Sequence, residues 1–587
     1  MSEAVIEDAE ANPAEAAAKA ALSQVFGCID ERKSFRLEAG AGAGKTYTLI
    51  KALRRVIETD GSDLLRRGGQ VACITFTNVA KDEIEARTDR HPSVRSDTIH
   101  GFAWSLLKDF QVELRRLVAQ IDPQRAAELA ELGGVGSRRI EYDLGFWRIR
   151  DDAITLRHDD IPALLVQCLD NAKFRRLLVT RYPVLFIDEY QDTNAAFVEA
   201  IKAHFLGQAN APLIGFFGDH WQKIYGNGCG KVEHDALTPI DKEANFRSVK
   251  AVVDVLNKMR PALPQMVRDP DAPGEARVFH TNSWQGQRRT GAHWNGDTSP
   301  EASRRYLQVL RERLEGEGWD FGADKTKILM LTHNGLAAEQ GYPSIPPIFS
   351  NNDAFIKKED PHIAFLADQL EPAVAAYQQR RFGEMLEAFA SGAPRITSRK
   401  DKIAWTEIMD RLLALRDAGT IGDVIDAVRA SELLQLPDAA EEREAALAAA
   451  GPEPVEGESS SVARLRKLRA VPYGELIALD RFIDGHTPFQ TKHGVKGLEF
   501  ENVLVVIGRG WNHYNFEQML AWSGPNAGPP PDKLEFYERN RNLFYVSCSR
   551  PQRRLAVLFT QQLGAGALTT LGAWFGADNL IALPGDV

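Results

Sequence analysis

The chain has 587 residues, too many for one hydrophobic core, and its 44% hydrophobic and 26% charged residues are typical of a soluble protein with about three to four domains. It lacks an apolar run of about 20 residues, a signal-peptide pattern and any CxxC pair, which argues against a membrane span, secretion and a zinc or disulfide framework and favours the cytoplasm. The net charge of −10 argues against a nucleic-acid partner at face value, but it leaves room for a basic groove on one face.

Four short apolar runs in the first half predict buried parallel strands. They are Ser34–Leu37, Val71–Phe76, Val184–Ile187 and Leu213–Phe217. Each run is followed by a polar or glycine-rich cluster: Gly40–Thr46, Thr77–Asn78, Asp188–Glu189 and Gly218–Asp219. Because ligands bind at the carboxyl ends of parallel strands, we expect these clusters to converge on one crevice.

The second half of the chain repeats this pattern of short apolar runs, which predicts a second α/β core. Its expected strands are Lys327–Leu331, Asn502–Ile507 and Leu555–Phe559, and its expected helices are Arg304–Leu314 and Glu538–Tyr545. Residues 1–102 and 156–260 are predicted to form the first core, and residues 261–344 and 481–587 the second. Residues 103–155 and 345–480 are predicted as helical insertions, the latter with a low-complexity stretch, Ala439–Ser461, that we interpret as an exposed helix or a mobile linker.

A phosphate-binding loop is the most specific motif of the chain. The sequence Ala39-Gly40-Ala41-Gly42-Ala43-Gly44-Lys45-Thr46 follows a predicted strand and precedes a helical run, Tyr47–Ile57. Glycines allow backbone N–H groups to close around phosphate oxygens at a helix N-terminus. Lys45 would neutralise the β- and γ-phosphates, and Thr46 would offer its hydroxyl to Mg²⁺. Ala39 replaces the first glycine of the strict pattern.

An acidic pair supplies the other half of a hydrolytic site. Asp188 and Glu189 follow the apolar run Leu185–Ile187, which suits a carboxylate that holds a metal ion, Asp188, beside one that accepts a proton from water, Glu189. Alone, such a pair is more often a solvated strand end. Together with a phosphate loop it indicates nucleotide hydrolysis.

Six further segments match one family in its own order. They are Thr75–Ala80 (TFTNVA), Thr98–Phe102 (TIHGF), Gly218–Tyr225 (GDHWQKIY), Asn245–Ser248 (NFRS), Thr491–Phe500 (TKHGVKGLEF) and Arg541–Arg550 (RNLFYVSCSR). With the phosphate loop and the acidic pair, the chain resembles superfamily 1 helicases of the UvrD/Rep/PcrA family from about Gln24 to Arg550. The resemblance implies an α/β fold with two RecA-like parallel-sheet core domains and helical insertion domains, and ATP with Mg²⁺ as cofactors.

The resemblance also implies individual roles at the nucleotide. Gln24 would read adenine, Phe246 would stack on it, and Glu499 would meet the ribose. Gln222 would link the γ-phosphate to DNA. Arg247 and Arg550 would approach the γ-phosphate from across the cleft, so that ATP draws the cores together.

By the same resemblance, single-stranded DNA and tailed duplex are the expected nucleic-acid partners, bound without sequence preference. The expected contacts are Phe76, Thr77, Asn78, Thr98, His100, Tyr225, Thr491 and His493. Phe76 offers a ring for base stacking, a contact that contributes about 1–3 kcal/mol per base in single-strand binders. For each of these residues alone, capping or core packing is an equally good interpretation, and for Phe76 it is the better one.

Several positions depart from the family pattern. Asn227 stands where an aromatic ring commonly stacks a base, Lys223 replaces a serine, and Tyr47 replaces an arginine. The sequence leaves open whether Trp221 compensates for the missing ring. These departures bear on strand separation more than on ATP hydrolysis.

Two functions therefore stand side by side. The first is a DNA-dependent ATPase and 3′-to-5′ helicase or translocase. The second is a nucleotide-gated DNA-binding regulator of a partner nuclease with little unwinding. Related helicases without a nuclease domain sometimes act beside a separate nuclease, including in phage defence, whereas others act in DNA repair. The sequence does not give the oligomeric state, the pathway or the preference for DNA over RNA.

Overall fold

The computed structural model describes residues 12–587 except 143–146, 225, 227, 292–293, 331–336, 338–339, 351–352, 390–395, 432, 455–456, 484–488, 492–497, 510–513, 526 and 587, with only the backbone of 353 and 489–491. The helices are α1 Pro13–Asp30, α2 Lys45–Arg67, α3 Asn78–Arg87, α4 Ile99–Leu107, α5 Gln111–Leu117, α6 Pro123–Glu131, α7 Asp160–Leu169, α8 Ala172–Arg181, α9 Ala195–His204, α10 Lys250–Met259, α11 Pro300–Gly316, α12 Asp353–Ile356, α13 Pro361–Phe365, α14 Glu371–Gln378, α15 Phe382–Ala388, α16 Arg399–Ala418, α17 Ile421–Arg429, α18 Asp438–Ala450, α19 Ser460–Arg469, α20 Tyr473–Ile483, α21 Phe516–Trp522, α22 Leu534–Cys548 and α23 Ala565–Phe575.

The strands are β1 Phe35–Ala39, β2 Val71–Thr75, β3 Val94–Thr98, β4 Arg139–Tyr142, β5 Arg148–Ile149, β6 Ala153–Leu156, β7 Val184–Asp188, β8 Leu213–Gly218, β9 Thr238–Lys242, β10 Ala244–Asn245, β11 Met266–Val267, β12 Glu275–His280, β13 Thr326–Met330, β14 Phe489–Thr491, β15 Phe500–Ile507, β16 Pro551–Phe559 and β17 Leu580–Ala582.

The first core is a six-stranded parallel sheet in the order β3-β2-β7-β8-β1-β9. The four strands predicted for the first half are β1, β2, β7 and β8, and they lie side by side. Gly215 of β8 pairs with Phe35 of β1 and Phe186 of β7. A Cβ at Gly215 would lie 2.7 Å from the Phe35 ring and 2.8 Å from the Phe186 ring, so the two rings fill the space that a side chain would need.

The second core is also a six-stranded parallel sheet, in the order β14-β13-β15-β16-β12-β17. The three strands predicted for the second half are β13, β15 and β16, and the two predicted helices lie within α11 and α22. Two parallel sheets with helices confirm the predicted α/β fold with two parallel-sheet cores. None of the described helices is both long and apolar enough to cross a membrane.

The first insertion is more mixed than the sequence indicated. After α5 and α6 it continues into a three-stranded sheet in the order β4-β6-β5, in which β5 and β6 are antiparallel. The second insertion is helical, and the first half of its low-complexity stretch, residues 439–450, lies in α18, as the helix interpretation predicted. The Glu444 carboxylate of α18 is buried and accepts a hydrogen bond of 2.7 Å from Arg469, which anchors this helix to α19.

Candidate active site between the two cores

The phosphate loop joins β1 to α2, and two of its glycines have a backbone that only glycine adopts easily. Gly42 and Gly44 have φ values of 74° and 71°, in the left-handed region. A Cβ at Gly42 would also lie 2.8 Å from Oδ1 of Asn245 and 2.8 Å from Cβ of Arg247. Gly42 is therefore required for two reasons: its backbone is left-handed, and the segment that carries Asn245 and Arg247 packs directly against it.

That segment fixes the outer side of the loop through hydrogen bonds. Nδ2 of Asn245 donates to the Ala41 carbonyl at 3.0 Å, and the Phe246 amide donates to the Gly42 carbonyl at 2.9 Å. Nε2 of Gln265 donates to the same Ala41 carbonyl at 3.1 Å. These bonds hold the loop carbonyls away from its centre, and the sequence motif alone gave no sign of the contribution of Gln265.

Lys45, the first residue of α2, points to the acidic pair at the end of β7. Its Nζ lies 2.6 Å from Oε1 of Glu189. Burial alone would lower the pKa of Lys45, but the carboxylates of Glu189 and Asp188 outweigh it and raise that pKa. Glu189 has a φ of 49°, a conformation that is uncommon outside glycine and typical of functional sites. Asp188 is buried, and Thr46 is half-buried in the first turn of α2.

Two arginines bring the second core to this site. Arg550 follows α22 and is 1% exposed, and its Nη2 donates to Oε1 of Gln222 in the first core at 3.1 Å. Burial, followed by the nearby charge of Arg247, lowers the pKa of Arg550 to about 9, while the charge of Glu189 opposes this shift. Arg247 donates from Nε to Glu499 at 2.9 Å and from Nη1 to the Ser549 carbonyl at 3.1 Å. The predicted catalytic residues are thus brought together around Glu189.

A cavity of about 560 Å³ opens beside the loop. Its lining is Glu15, Ala18, Lys19, Leu22, Gly44, Tyr47, Thr48, Lys242 and Phe246. Gln24 is exposed on α1 and is not part of this lining, so the structure does not place it with Phe246. Lys242 is buried and donates to Thr48 Oγ1 at 2.7 Å and to the Gly44 carbonyl at 3.0 Å. Burial lowers the pKa of Lys242 to about 8.

The residues expected to contact DNA lie at the ends of β2 and β3. Phe76 is 41% exposed, and Thr77 caps α3 by accepting from the Ala80 amide. Asn78 is exposed beside them, and Thr98 caps α4.

His100 stacks on His158, just after the first insertion, with ring centroids 3.5 Å apart. Burial, followed by the charge of His158, lowers the pKa of His100 to about 4, so the ring is neutral at pH 7. Tyr225 and His493, and the side chain of Thr491, lie outside the described residues, so their predicted contacts stay predictions.

The Trp221 ring packs against other side chains and is not available to stack on a base. The Arg541 guanidinium lies 4.0 Å from its ring centroid, and the Tyr545 ring packs edge-on at 5.4 Å. Both partners belong to α22, so Trp221 joins the two cores. The sequence left its role open because the partners are more than 300 positions away.

Comparison with known proteins agrees with this site. A family model described as an AAA domain matches residues 25–227, which include the phosphate loop and the acidic pair. The Gabija protein GajB of Bacillus cereus (strain HuB5-5) is 23% identical to this chain, over 92% of this chain and 94% of that protein. The first core is accordingly similar to AAA domains over the segment that carries the phosphate loop and the acidic pair.

The geometry of Gly42 gives a direct test of the loop. We expect Gly42→Ala to weaken binding of a fluorescent ATP analogue by at least about tenfold, because the new Cβ strains a left-handed φ and displaces Asn245. The matched control is Gly68→Ala, since Gly68 has a similar φ of 68° but no atom within 4 Å of the added Cβ. Equal nucleotide affinities in the two folded variants would show that the loop does not bind the nucleotide.

Proposed function

We propose that this chain is an ATP-driven motor that moves 3′ to 5′ along single-stranded DNA and separates strands, hydrolysing ATP between its two cores. The observation that carries this proposal is the contact between Arg550 of the second core and Gln222 of the first, beside the Lys45–Glu189 pair. Hydrolysis that requires groups from both cores is coupled to their relative position. The polarity rests on the helicase resemblance.

The chemistry assigned to the site follows from its charges. Lys45 would hold the β- and γ-phosphates, and Asp188 with Thr46 would hold Mg²⁺, since a carboxylate and a hydroxyl suit this hard cation. Bound Mg²⁺ would neutralise charge on the phosphate oxygens. When Lys45 turns to the phosphates, its ion pair with Glu189 breaks, and the freed carboxylate can accept a proton from the attacking water. Nucleotide binding thereby activates its own base.

The base and the ribose would lie in the cavity beside the loop. Phe246 and Tyr47 line it, and we propose that they hold the adenine ring between two aromatic faces. Glu499 is exposed beside Arg247 and is proposed to meet the ribose. Gln24 remains a candidate adenine reader only if nucleotide binding brings it to the cavity.

The nucleic-acid path is proposed along the first core. Exposed Phe76 would stack a base, and Thr77, Asn78, Thr98 and His100 would hold phosphates or sugars. Tyr225, Thr491 and His493 would complete the path. A separate nuclease is the proposed protein partner, with phage defence as the setting to examine before DNA repair, given the likeness to the Gabija protein GajB.

The central test is ATP hydrolysis with single-stranded DNA, RNA, blunt duplex or no nucleic acid. We expect single-stranded DNA to stimulate hydrolysis most, because a motor couples turnover to travel on its track. Lys45→Ala should abolish turnover in every condition while far-UV circular dichroism stays unchanged. Turnover of Lys45→Ala near the wild-type rate, or stimulation by none of the nucleic acids, would reject the proposal.

The position of Arg550 makes a separate prediction. Arg550→Ala should keep nucleotide binding but reduce hydrolysis by roughly 10³-fold or more, the range of arginine fingers in other nucleotide hydrolases. Binding is measured by titration of a fluorescent ATP analogue and hydrolysis by single turnover. Arg539→Ala, at a partly exposed arginine of the helix α22 that precedes Arg550, is the control. Loss of binding with normal hydrolysis per bound ATP would contradict the finger role.

The regulator remains the alternative because Trp221 is packed against Arg541 and does not replace the base-stacking ring. A strand-displacement assay on a 3′-tailed duplex separates the two functions. We expect displacement that requires ATP and fails with a 5′-tailed duplex. Stimulated hydrolysis with no displacement would instead favour the regulator of a partner nuclease.

A further inference from the structure

A buried carboxylate lies directly before the phosphate loop. Glu38 of β1 is 3% exposed, and its neighbours Leu37 and Ala39 are buried apolar residues. An ionised carboxylate is stable in such a place only with charged or hydrogen-bonding partners. Burial alone would raise the pKa of Glu38, but the hydrogen bond from His220 and the charge of Arg260 lower it to about 2.

The partners of Glu38 come from three different elements of the site. Its Oε1 accepts from the backbone amide of His220 at 3.0 Å, from Nδ1 of His220 at 2.7 Å and from Nη2 of Arg260 at 2.9 Å. Its Oε2 accepts from the hydroxyl of Tyr190 at 2.5 Å. The strand that enters the phosphate loop is thereby tied to the turns after β7 and β8 and to the end of α10.

One guanidinium bonds to both carboxylates of this cluster, and Nε of Arg36 lies 3.7 Å from Oε2, the other carboxylate oxygen of Glu38. Arg260 is 2% exposed. Its Nη1 donates to Oδ1 of Asp219 at 2.7 Å, and its Nη2 donates to Oε1 of Glu38. Ligand atoms of Glu38, Asp219 and His220 lie within 4.8 Å of one another, as metal ligands would. Because Arg260 already bonds to both carboxylates, it takes the place that a cation would need, and the cluster is a structural network.

The hydrogen bonds of this network continue through Gln222 to the contact between the two cores. Residues 220–222 form one short turn, and Gln222 is held from both sides. Its Nε2 donates to Oδ2 of Asp219 at 2.8 Å, and its Oε1 accepts from Arg550 at 3.1 Å. The second core also holds the turn directly, since Nδ2 of Asn542 donates to the His220 carbonyl at 3.1 Å.

The helicase resemblance does not account for this arrangement. The GDxxQSIY pattern leaves the positions of His220 and Trp221 open, and Glu38 precedes the phosphate loop. The ties among Glu38, His220 and Arg260 are therefore features of this chain's own residues.

We propose that Glu38 is a positioning residue that fixes the turn 220–222 through His220 and so holds Gln222 against Arg550. The inference rests on the proposed ATPase function and deepens it. Glu38 would transmit a shift of the phosphate-loop strand to the second core without touching the nucleotide.

The test is steady-state hydrolysis by Glu38→Gln in the presence of single-stranded DNA. We expect kcat to fall about 10- to 100-fold, as for a displaced catalytic group, with an unchanged KM for ATP. The double variant Glu38→Gln with Gln222→Ala should be no slower than Gln222→Ala alone, because both changes break one contact. If Glu38→Gln does not fold, His220→Asn tests the same link.

Asp160→Asn is the matched control. Asp160 is also 3% exposed and pairs with a buried arginine, Arg125, at 2.6 Å, but this pair joins α7 to the first insertion and does not involve the phosphate loop. It should lower the melting temperature without changing kcat of the folded enzyme. Unchanged kcat in folded Glu38→Gln, or losses that multiply in the double variant, would overturn the inference. A wild-type chain without stimulated hydrolysis would instead reject the proposed function.

Discussion

The site depends on one buried charge, the Arg550 guanidinium, at the contact between the two cores. Arg550 belongs to the second core, yet its guanidinium is 1% exposed and bonds to Gln222 of the first core. Burying a charge without full compensation costs several kcal/mol. Here the hydrogen-bond partners are neutral carbonyls, a hydroxyl and an amide, and Arg247 adds like charge that Glu189 and Asp219 only partly oppose. A bound triphosphate would supply the missing negative charge. On the proposed function, the closed arrangement of the cores and nucleotide binding would therefore be linked through the same guanidinium.

The parallel sheets make this meeting possible. All six strands of the first sheet run in one direction, so the segments after β1, β7 and β8 emerge at one edge. Lys45, Glu189 and Gln222 come from these three segments. Short turns then set the fine positions, since Gln191 bonds both to the Glu189 carboxylate at 2.5 Å and to the Asp219 amide at 3.0 Å. The sheet topology brings these residues close together, and buried hydrogen bonds then set the orientation of their side chains.

The same division explains what the sequence could predict. Strand ends and the phosphate loop are local patterns, so the strands around Lys45 and Asp188 were predicted within about two residues of their observed bounds. Strands β4 to β6 were not predicted, because runs of two to four residues are too short to show an alternating hydrophobic pattern. The partners of Glu38 and Trp221 depend on contacts across 152 or more positions, which no local pattern encodes. Gln24 was assigned by motif spacing, whereas its exposure depends on which face α1 turns outward.

Order of events follows from the charges around Glu189. While Lys45 pairs with it at 2.6 Å, Glu189 is a poor proton acceptor, so water in the cleft is not activated. In the proposed cycle, a triphosphate would compete for Lys45 and also attract Arg550 and Arg247, so one ligand would release the base and draw in the second core. A nucleoside diphosphate lacks the γ-phosphate, and it would leave the cores less tightly held. Alternation between these two states would then convert hydrolysis into movement of one core relative to the other.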